Sequence, residues 1–351
     1  MTTEQRAALV TRNTAEVVTA EELTTLLERS DRPKAYAGFE PSGYVHLGTG
    51  YIAAAKLADL AEAGFEVTVL LADWHAMIND KFGGDLEKIR ACGKYFQEAF
   101  HAVGVPESVR FITASELVRE TDYWADVIRV SKRATVARIK RAMTIMGRKE
   151  EDAEQDAAKL IYPAMQVTDI HRLDLDLAYG GMDQRHAHML YRDLQAKLGW
   201  KRVTALHTPL LSGLKGGGRM DSPDNKMSKS DPESAIFLHD SAAAVSKKIE
   251  KAFCPAKIVE GNPVADFARQ IVLPRQGALK IERPSKFGGD IEYRDWAVLQ
   301  KDYVDGKLHP ADLKRSVAAA IAHLLVPIHR HFATRGETLA AMQQMTGITF
   351  A

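Results

Sequence analysis

Two lysines three positions apart form the most chemically suggestive group in the sequence. Lys226 and Lys229 enclose Met227 and Ser228 within residues 212–232, a stretch with almost no apolar side chain to bury. Lysine is a flexible point charge with three donors, and a serine hydroxyl adds a neutral donor beside it. The spacing therefore indicates a loop that grasps and releases phosphate groups, although an isolated Lys-x-x-Lys pair is more typical of an ordinary solvated loop.

A second candidate lies far upstream, at His46. This residue follows a short apolar stretch and precedes Gly48, Thr49 and Gly50. Glycines let a ligand approach the backbone closely, and the free N–H groups at the start of a helix favour phosphate. Taken alone, a histidine in such a turn more often has a capping or surface role than a catalytic one.

The hydrophobic pattern predicts a scaffold that could hold these residues. Residues 34–39 read as a buried strand, 51–63 as an Ala-rich helix closed by Gly64, and 65–71 as a second strand. This is the opening of a Rossmann-like βαβ unit, in which ligands bind at the carboxyl ends of the strands. The other predicted elements of this part are one or two helices in 1–30, helix 86–103, strand 109–113, helix 121–149, strand 175–179, helix 183–198 and strand 203–211.

After residue 235 the pattern changes from alternating strands and helices to mostly helices. Helices are predicted at 243–253, at 263–272 and, most clearly, at 310–332. The fold class is therefore α/β: a Rossmann-like parallel sheet with a helical insertion, followed by a mostly α-helical domain. We expect the boundary within residues 212–236.

Composition limits the classes of function. The 351 residues are 46% hydrophobic and 26% charged, as in a soluble globular protein, and the net charge of +1 gives no global signal for nucleic acid. A local signal exists, because residues 132–149 contain seven Lys or Arg and no acid. Cys92 and Cys254 lie far apart, so neither a disulfide framework nor a Cys-based metal site is expected. With no apolar run or leader pattern either, we expect a cytoplasmic protein.

These motifs together resemble a known class. Residues 226–230 read KMSKS and are similar to the second signature of class I aminoacyl-tRNA synthetases, and residues 46–49 resemble the first signature. Thr49 stands where that signature usually has a second histidine; its hydroxyl can donate to a phosphate oxygen but carries no positive charge. Residues 36–43, 162–171 and 180–185 resemble tyrosyl-tRNA synthetases of the archaeal and eukaryotic type, and the similarity runs from about residue 34 to residue 330.

The resemblance implies a pocket for tyrosine. Tyr36 and Asp169 would bind the phenol hydroxyl of the substrate, while Tyr162, Gln166 and Gln184 would hold its α-ammonium group. The chemistry is consistent, because a phenol both donates and accepts and is satisfied between an Asp acceptor and a Tyr hydroxyl. Without the resemblance, Tyr162 and Gln166 are better explained as neighbours packed on one helix face.

The resemblance also implies ATP as a substrate, with Mg²⁺ on its phosphates and no metal site built by the protein. His46, Lys226 and Lys229 would be the catalytic residues, stabilising the pyrophosphate leaving group. The implied ATP contacts are Gly38, Glu40, His46, Gly48, Thr49, Met227, Ser228 and Lys229.

Transfer RNA is the other implied partner. Arg141 and Arg185 would lie near its acceptor stem, and Phe287, His309 and Asp312 would contact the anticodon. The implied domains are a catalytic domain at 1–211, with a connective and dimer region at 110–180, a linker at 212–236, and an anticodon-binding domain at 237–351. The resemblance also implies a homodimer, with an interface formed by residues 110–150.

Three alternatives remain at the level of sequence. A tryptophanyl-tRNA synthetase shares the class, but Asp169 with Tyr36 favours a phenol over an indole N–H, which only donates. A tRNA-binding paralogue without catalysis is favoured by Thr49 and disfavoured by the two loop lysines. A small nucleotidyltransferase would not explain the second domain.

Overall fold

The computed structural model describes residues 1–143, 156–216 and 232–350. The chain divides into two compact units: Met1–Gly43 with Ala53–Pro209, and Tyr44–Ile52 with Leu210–Ala351. Among the described helices, none combines the length and the apolar character that a membrane crossing requires.

The first unit is built on a mostly parallel sheet. Its described strands run in the order β1-β6-β5-β2-β3-β4, and all neighbouring pairs are parallel except β1 with β6. The Rossmann-like class predicted from the sequence is confirmed. The strands are β1 (Glu16–Val18), β2 (Lys34–Phe39), β3 (Glu66–Leu71), β4 (Arg110–Thr113), β5 (Leu177–Gly181) and β6 (Thr204–Thr208).

Helices connect these strands with clear start and stop signals. The longest helix of the unit begins after Asp85, whose carboxylate accepts from the N–H groups of Glu87 and Lys88, and ends at Gly104, where φ is +108°. The described helices of the unit are α1 (Thr3–Thr11), α2 (Ala20–Arg29), α3 (Ala54–Glu62), α4 (Asp73–Ile78), α5 (Leu86–Val103), α6 (Ala114–Leu117), α7 (Thr121–Arg133), α8 (Val136–Ala142), α9 (Ala157–Arg172) and α10 (Arg185–Leu198).

The single helix predicted over residues 121–149 is wrong. The chain forms α7 and then α8, with extended backbone at Ala134 and Thr135 between them. The Thr135 side chain accepts from the N–H of Arg138 and so starts the second helix. Residues 144–149 of the predicted helix lie outside the described residues.

The second unit is mostly helical in its described part, as predicted. A small antiparallel pair, β7 (Leu279–Ile281) with β8 (Ile291–Tyr293), was not predicted because each strand has only three residues. The helix predicted at 263–272 is α12 followed by a π-helical turn, Ala268–Val272. The described helices are α11 (Ala242–Lys251), α12 (Pro263–Phe267), α13 (Leu273–Gln276), α14 (Trp296–Val304), α15 (Pro310–Thr334) and α16 (Glu337–Thr346).

Helix α9 is buried along most of its length and brings polar side chains into the first unit. Met165, Val167 and Ile170 belong to a buried apolar cluster that also includes Tyr36 of β2 and Tyr123 of α7. Polar residues on the same helix are buried among these apolar ones, so they need partners inside the protein or from a ligand.

Candidate active site

The site of the first unit lies where the order of its strands reverses. From β2 the chain continues outward to β3 and β4, whereas β5 and β6 lie on the other side of β2. In open parallel sheets this switch point, at the carboxyl ends of the strands, is where ligands bind. Tyr36 occupies β2 itself with 1% of its surface exposed, and Gln184 follows β5.

One face of α9 supplies three further polar groups. Tyr162, Gln166 and Asp169 follow at helical spacing and are only 5%, 9% and 1% exposed. Asp156 caps the start of this helix by accepting from the N–H of Lys159. Their helical spacing places the three side chains on one buried face of α9.

Asp169 is the centre of a buried polar cluster. The Tyr123 hydroxyl donates to its Oδ1 at 2.8 Å, and His75 Nε2 lies 3.1 Å from its Oδ2, in a direction that does not make a straight hydrogen bond. Burial lowers the pKa of His75, but the carboxylates of Asp169, Glu40 and Asp73 together outweigh burial and the pKa is raised overall. Burial, reinforced by the same carboxylate, raises the pKa of Tyr36 and of Tyr123. Both phenols thus stay neutral and can donate.

A second polar group surrounds Tyr162. Its hydroxyl donates to Glu40 Oε1 at 2.6 Å, and the amide of Asn79 donates to both oxygens of the same carboxylate, at 3.2 and 3.1 Å. Burial and the Glu40 charge raise the pKa of Tyr162 well above its usual range. The ring of His75 packs edge-on against Tyr162, with centroids 4.9 Å apart, and so joins the two polar groups.

Gln166 and Gln184 form the third part of the site. Gln166 Nε2 donates to Gln184 Oε1 at 3.1 Å, whereas the buried Gln166 Oε1 has no hydrogen-bond partner among the described residues. Gly180 permits this arrangement, because a Cβ there would lie 2.8 Å from the Cβ of Gln184. Gln166 Oε1 can therefore accept a hydrogen bond from a ligand.

The first unit brings together all five residues predicted to bind an amino acid, and it adds three that the sequence did not reveal. His75 lies on α4, Tyr123 on α7 and Asn79 directly after α4. A histidine after a predicted strand carboxyl end was the only signal for His75, and nothing local marked Tyr123. Glu40, predicted as an ATP contact, is hydrogen-bonded within the site, and Gly38 lies on β2.

His46 belongs to the second unit, where it closes its own turn. The N–H of Gly48 donates to His46 Nδ1 at 3.2 Å, and Thr49 Oγ1 lies 3.5 Å from Nε2. His46 pairs with Phe237 in an antiparallel bridge, and a π-helix, Gly48–Ala53, follows. The capping role weighed from the sequence is present, and it places the hydroxyl of Thr49 beside the outer ring nitrogen.

The lysine loop lies outside the described residues, and with it Lys226, Met227, Ser228 and Lys229. Among the residues that are described, no group of three or more His, Cys, Asp or Glu side chains could hold a metal ion.

Comparison with known proteins identifies the family. A family model described as tRNA synthetases class I (W and Y) matches residues 28–326. The tyrosine–tRNA ligases of Aeropyrum pernix and Saccharolobus solfataricus are 51% and 47% identical, over 93% and 99% of this chain and 92% and 97% of theirs. The chain belongs to the tyrosyl-tRNA synthetases. As a member of this family, it attaches tyrosine to tRNA in an ATP-dependent ligase reaction.

Solved structures agree with this assignment. The crystal structure of tyrosyl-tRNA synthetase from Aeropyrum pernix has a TM-score of 0.89 at 46% identity and covers 99% of each chain. The enzyme from Pyrococcus horikoshii, solved with L-tyrosine, gives 0.90 at 42% identity, over 98% of this chain and 100% of that one. A tryptophanyl-tRNA synthetase from Aeropyrum pernix gives 0.69 at 20% identity, a likeness of fold alone.

The arginines predicted to meet tRNA have different surroundings in this synthetase. Arg185 forms a bidentate salt bridge with Glu16: its Nε donates to Oε2 at 2.7 Å and its Nη2 to Oε1 at 2.9 Å. Arg141 is exposed near the end of α8, and Arg138 on the same helix pairs with Asp193 at 2.7 Å. Arg148 and Lys149 of the basic stretch lie outside the described residues.

The residues predicted to meet the anticodon lie in the second unit of the synthetase. Phe287 is 60% exposed, with Lys286 Nζ 5.0 Å from its ring centroid. His309 caps α15, its Nδ1 accepting from the N–H of Ala311, and Asp312 lies in the first turn of that helix, as predicted. A helix start and an RNA contact are compatible roles for His309.

Proposed function

We propose that the buried cluster around Asp169 recognises the phenol of L-tyrosine. The observation that carries this proposal is the carboxylate itself: 1% exposed, and oriented by Tyr123 and His75. A carboxylate in such a place costs free energy unless donors surround it. The phenol of the substrate donates to Asp169 and accepts from Tyr36, so both groups are satisfied at once.

The substrate ammonium group fits the other end of the cluster. Gln166 Oε1, buried and without a partner among the described residues, is an acceptor for one of its N–H groups. Tyr162 and Gln184 provide two more oxygens, and Glu40 adds negative charge through its bond to Tyr162. An analogue without the ammonium group would leave these acceptors unpaired, which gives selectivity for an amino acid.

The first reaction step forms a mixed anhydride. A carboxylate oxygen of tyrosine attacks the α-phosphorus of ATP in line, the bond to the bridging oxygen breaks, and pyrophosphate leaves with the electron pair. His46, Lys226 and Lys229 stabilise the charge on the leaving group, while Gly38, Gly48, Thr49, Met227 and Ser228 complete the ATP contacts. Positioning and charge stabilisation suffice for such a transfer. Mg²⁺ would bind the phosphates of ATP and neutralise part of their charge, and no protein residue is proposed as its ligand.

The second step transfers the tyrosyl group to tRNA(Tyr). The 2′-hydroxyl of the terminal adenosine attacks the carbonyl carbon of tyrosyl-adenylate, and AMP leaves. Arg141 and Arg185 are assigned to the acceptor stem, and Phe287, His309 and Asp312 to the anticodon. The exposed ring of Phe287 supports the second assignment, because unpaired bases stack on such rings. We accordingly assign catalysis to residues 1–211, the linker with the KMSKS sequence to 212–236 and anticodon binding to 237–351.

The proposed assembly is a homodimer through residues 110–150. Two apolar side chains support it, since Ile128 on α7 is 60% exposed and Val136 on α8 is 65% exposed. The proposed location is the cytoplasm, where charged tRNA is consumed. A single-charge substitution, Ile128→Glu, tests the dimer by light scattering, with Val304→Glu, at an exposed position of α14, as the matched control.

ATP–pyrophosphate exchange tests the amino-acid assignment. Tyrosine should stimulate exchange strongly, and phenylalanine and tryptophan should not. Asp169→Asn should lower kcat/KM for tyrosine by roughly 10-fold to 100-fold, the loss of a hydrogen bond to a charged group, and should change that for phenylalanine much less. Stimulation by tryptophan and not by tyrosine would overturn the assignment and favour the sister enzyme.

A further inference from the structure

Tyr44 lies two residues before His46 and is held by the segment that follows α16. Its ring is 4% exposed and meets the ring of Phe350 edge-on, with centroids 4.8 Å apart. Its hydroxyl donates to the carbonyl of Ile348 at 2.8 Å and lies 3.1 Å from Thr346 Oγ1. All of these residues belong to the second unit.

The residues around His46 pair with residues 236–238. His46 and Phe237 form an antiparallel bridge. Beside it, the N–H of Leu47 donates to the carbonyl of Ile236 at 2.9 Å, and the N–H of Leu238 donates to the carbonyl of Val45 at 3.0 Å. We call these two paired stretches, residues 44–47 and 236–238, the His46 bridge. Directly after the first stretch, Gly50 lies close to the second one: a Cβ on Gly50 would be 2.8 Å from the Leu238 side chain.

Phe350 contacts both sides of the His46 bridge. Its ring lies 4.8 Å from Tyr44 on one side and 5.9 Å from Phe237 on the other, and it is 5.3 Å from the ring of His239. His239 rests in turn on Phe332 of α15, with centroids 4.8 Å apart. The ring of Phe350 thus packs against both stretches, beside the backbone hydrogen bonds that join them. Through His239 it is connected to Phe332 of α15.

We propose that Phe350, together with the Tyr44 hydroxyl, is a positioning element for tyrosine activation. It holds the His46 bridge closed and thereby sets where the imidazole of His46 meets the phosphates of ATP. Neither residue touches the reacting atoms; they act through His46. Because misplacing a catalytic group by about 1 Å can cost on the order of 100-fold in rate, loosening the bridge should lower kcat for activation. The proposal rests on the proposed role of His46.

Substitutions at Phe350 test the proposal in the full-length enzyme. Phe350→Ala should lower kcat in ATP–pyrophosphate exchange by about 10-fold to 100-fold. The dissociation constant for tyrosine alone, measured by equilibrium dialysis without ATP, should not change, since Tyr36 and Asp169 belong to the first unit. Phe350→Tyr, which keeps the ring, should restore most of the rate. Tyr44→Phe, which removes only the hydroxyl, should give a smaller loss of the same kind.

The matched control is Ile348→Ala, because that side chain is 47% exposed and only its backbone carbonyl binds Tyr44. It should behave like wild type. An unchanged kcat in Phe350→Ala would overturn the proposal, and so would a parallel loss of tyrosine affinity and of urea stability, which would indicate general damage. His46→Ala separates the two hypotheses: if it leaves activation unchanged, the role of His46 fails, whereas a large loss there with none in Phe350→Ala rejects the positioning element alone.

Discussion

Tyr123 donates its hydroxyl proton to Asp169 across 2.8 Å, although 46 residues separate the two in the chain. The bond occupies Oδ1 and fixes the plane of the carboxylate, while Oδ2 faces His75. A carboxylate that is held in one orientation can discriminate between a phenol and a bare ring, because a ring without a hydroxyl leaves it unpaired.

Tyr123→Phe should therefore reduce selectivity more than stability. Loss of a donor to a charged group corresponds to about 1.5–3 kcal/mol, or roughly 10-fold to 100-fold in kcat/KM for tyrosine. The preference over phenylalanine should fall by a similar factor. Exchange assays with both amino acids measure the effect.

Tyr191→Phe is the control for that substitution. Tyr191 is 2% exposed, and its hydroxyl donates to the carbonyl of Lys201 at the same distance, 2.8 Å, outside the site. The control should lose stability without losing selectivity. Equal selectivity in both variants would mean that Tyr123 only fills space.

Thr49 gives a second prediction, because its hydroxyl lies 3.5 Å from His46 Nε2. Thr49→His supplies the charge that the related signature has at this position, and charge-assisted hydrogen bonds are roughly twice as strong as neutral ones. We expect kcat for activation to rise about threefold to tenfold, with KM for tyrosine unchanged. Thr49→Val, which removes the hydroxyl at nearly constant volume, should lower kcat. If neither variant differs from wild type in ATP–pyrophosphate exchange, the hydroxyl takes no part.

Lys229→Ala addresses the loop directly. The alanine variant removes a positive charge expected at the leaving pyrophosphate, so activation should fall far more than the affinity for tyrosine alone. Exchange assays and equilibrium dialysis give the two quantities. A loss of equal size in both would contradict the role assigned to the loop.

The five predicted residues of the site came from the resemblance, and local spacing links only the three that lie on α9. Tyr162, Gln166 and Asp169 share one helix, and helical spacing alone places them on one face. His75 and Tyr123 could not be found in this way, since α4 and α7 reach Asp169 only through tertiary packing. A polar residue on a separate helix has no sequence signal for the partner that it meets.

The helices and strands likewise include some that local patterns predicted and others that depend on distant contacts. The long apolar patterns of β2 and α5 predicted their bounds to the residue. The short strand β1 was missed, because its three residues pair with distant β6 and carry no alternation of their own. The break between α7 and α8 depends on one capping side chain, Thr135, which a strong helical pattern on both sides concealed.

A fourth prediction concerns acid stability and the buried pair His188 and His207. His207 Nε2 lies 3.0 Å from His188 Nδ1, and its other nitrogen lies 3.1 Å from Glu16. Burial lowers the pKa of His207 to about 4, although Glu16 opposes the shift, and burial also lowers the pKa of His188.

The protein should become less stable as the pH falls, because unfolding is accompanied by proton uptake. In the unfolded chain a histidine binds its proton near pH 6.5, so between about pH 6.5 and pH 4 the unfolded state holds more protons and stability falls as the pH falls. For His207 the loss between pH 7 and pH 5 is about 2 kcal/mol. Urea unfolding of wild type and His207→Gln at both values measures it. The stability difference between the two proteins should shift by about that amount toward the variant at pH 5, and a constant difference would contradict the assignment.

The last prediction separates tRNA binding from activation. Phe287 is 60% exposed, and its ring is accessible for an unpaired base. Stacking of a base on an aromatic side chain is worth about 1–3 kcal/mol, so Phe287→Ala should raise KM for tRNA(Tyr) roughly 5-fold to 150-fold. Phe287→Trp should retain affinity, because it keeps a stacking face. Val298→Ala, a similarly exposed apolar position on α14 at 54%, should change neither quantity. Exchange without tRNA should be the same in all three variants, and a loss of exchange in Phe287→Ala would show that the residue supports the fold instead of binding RNA.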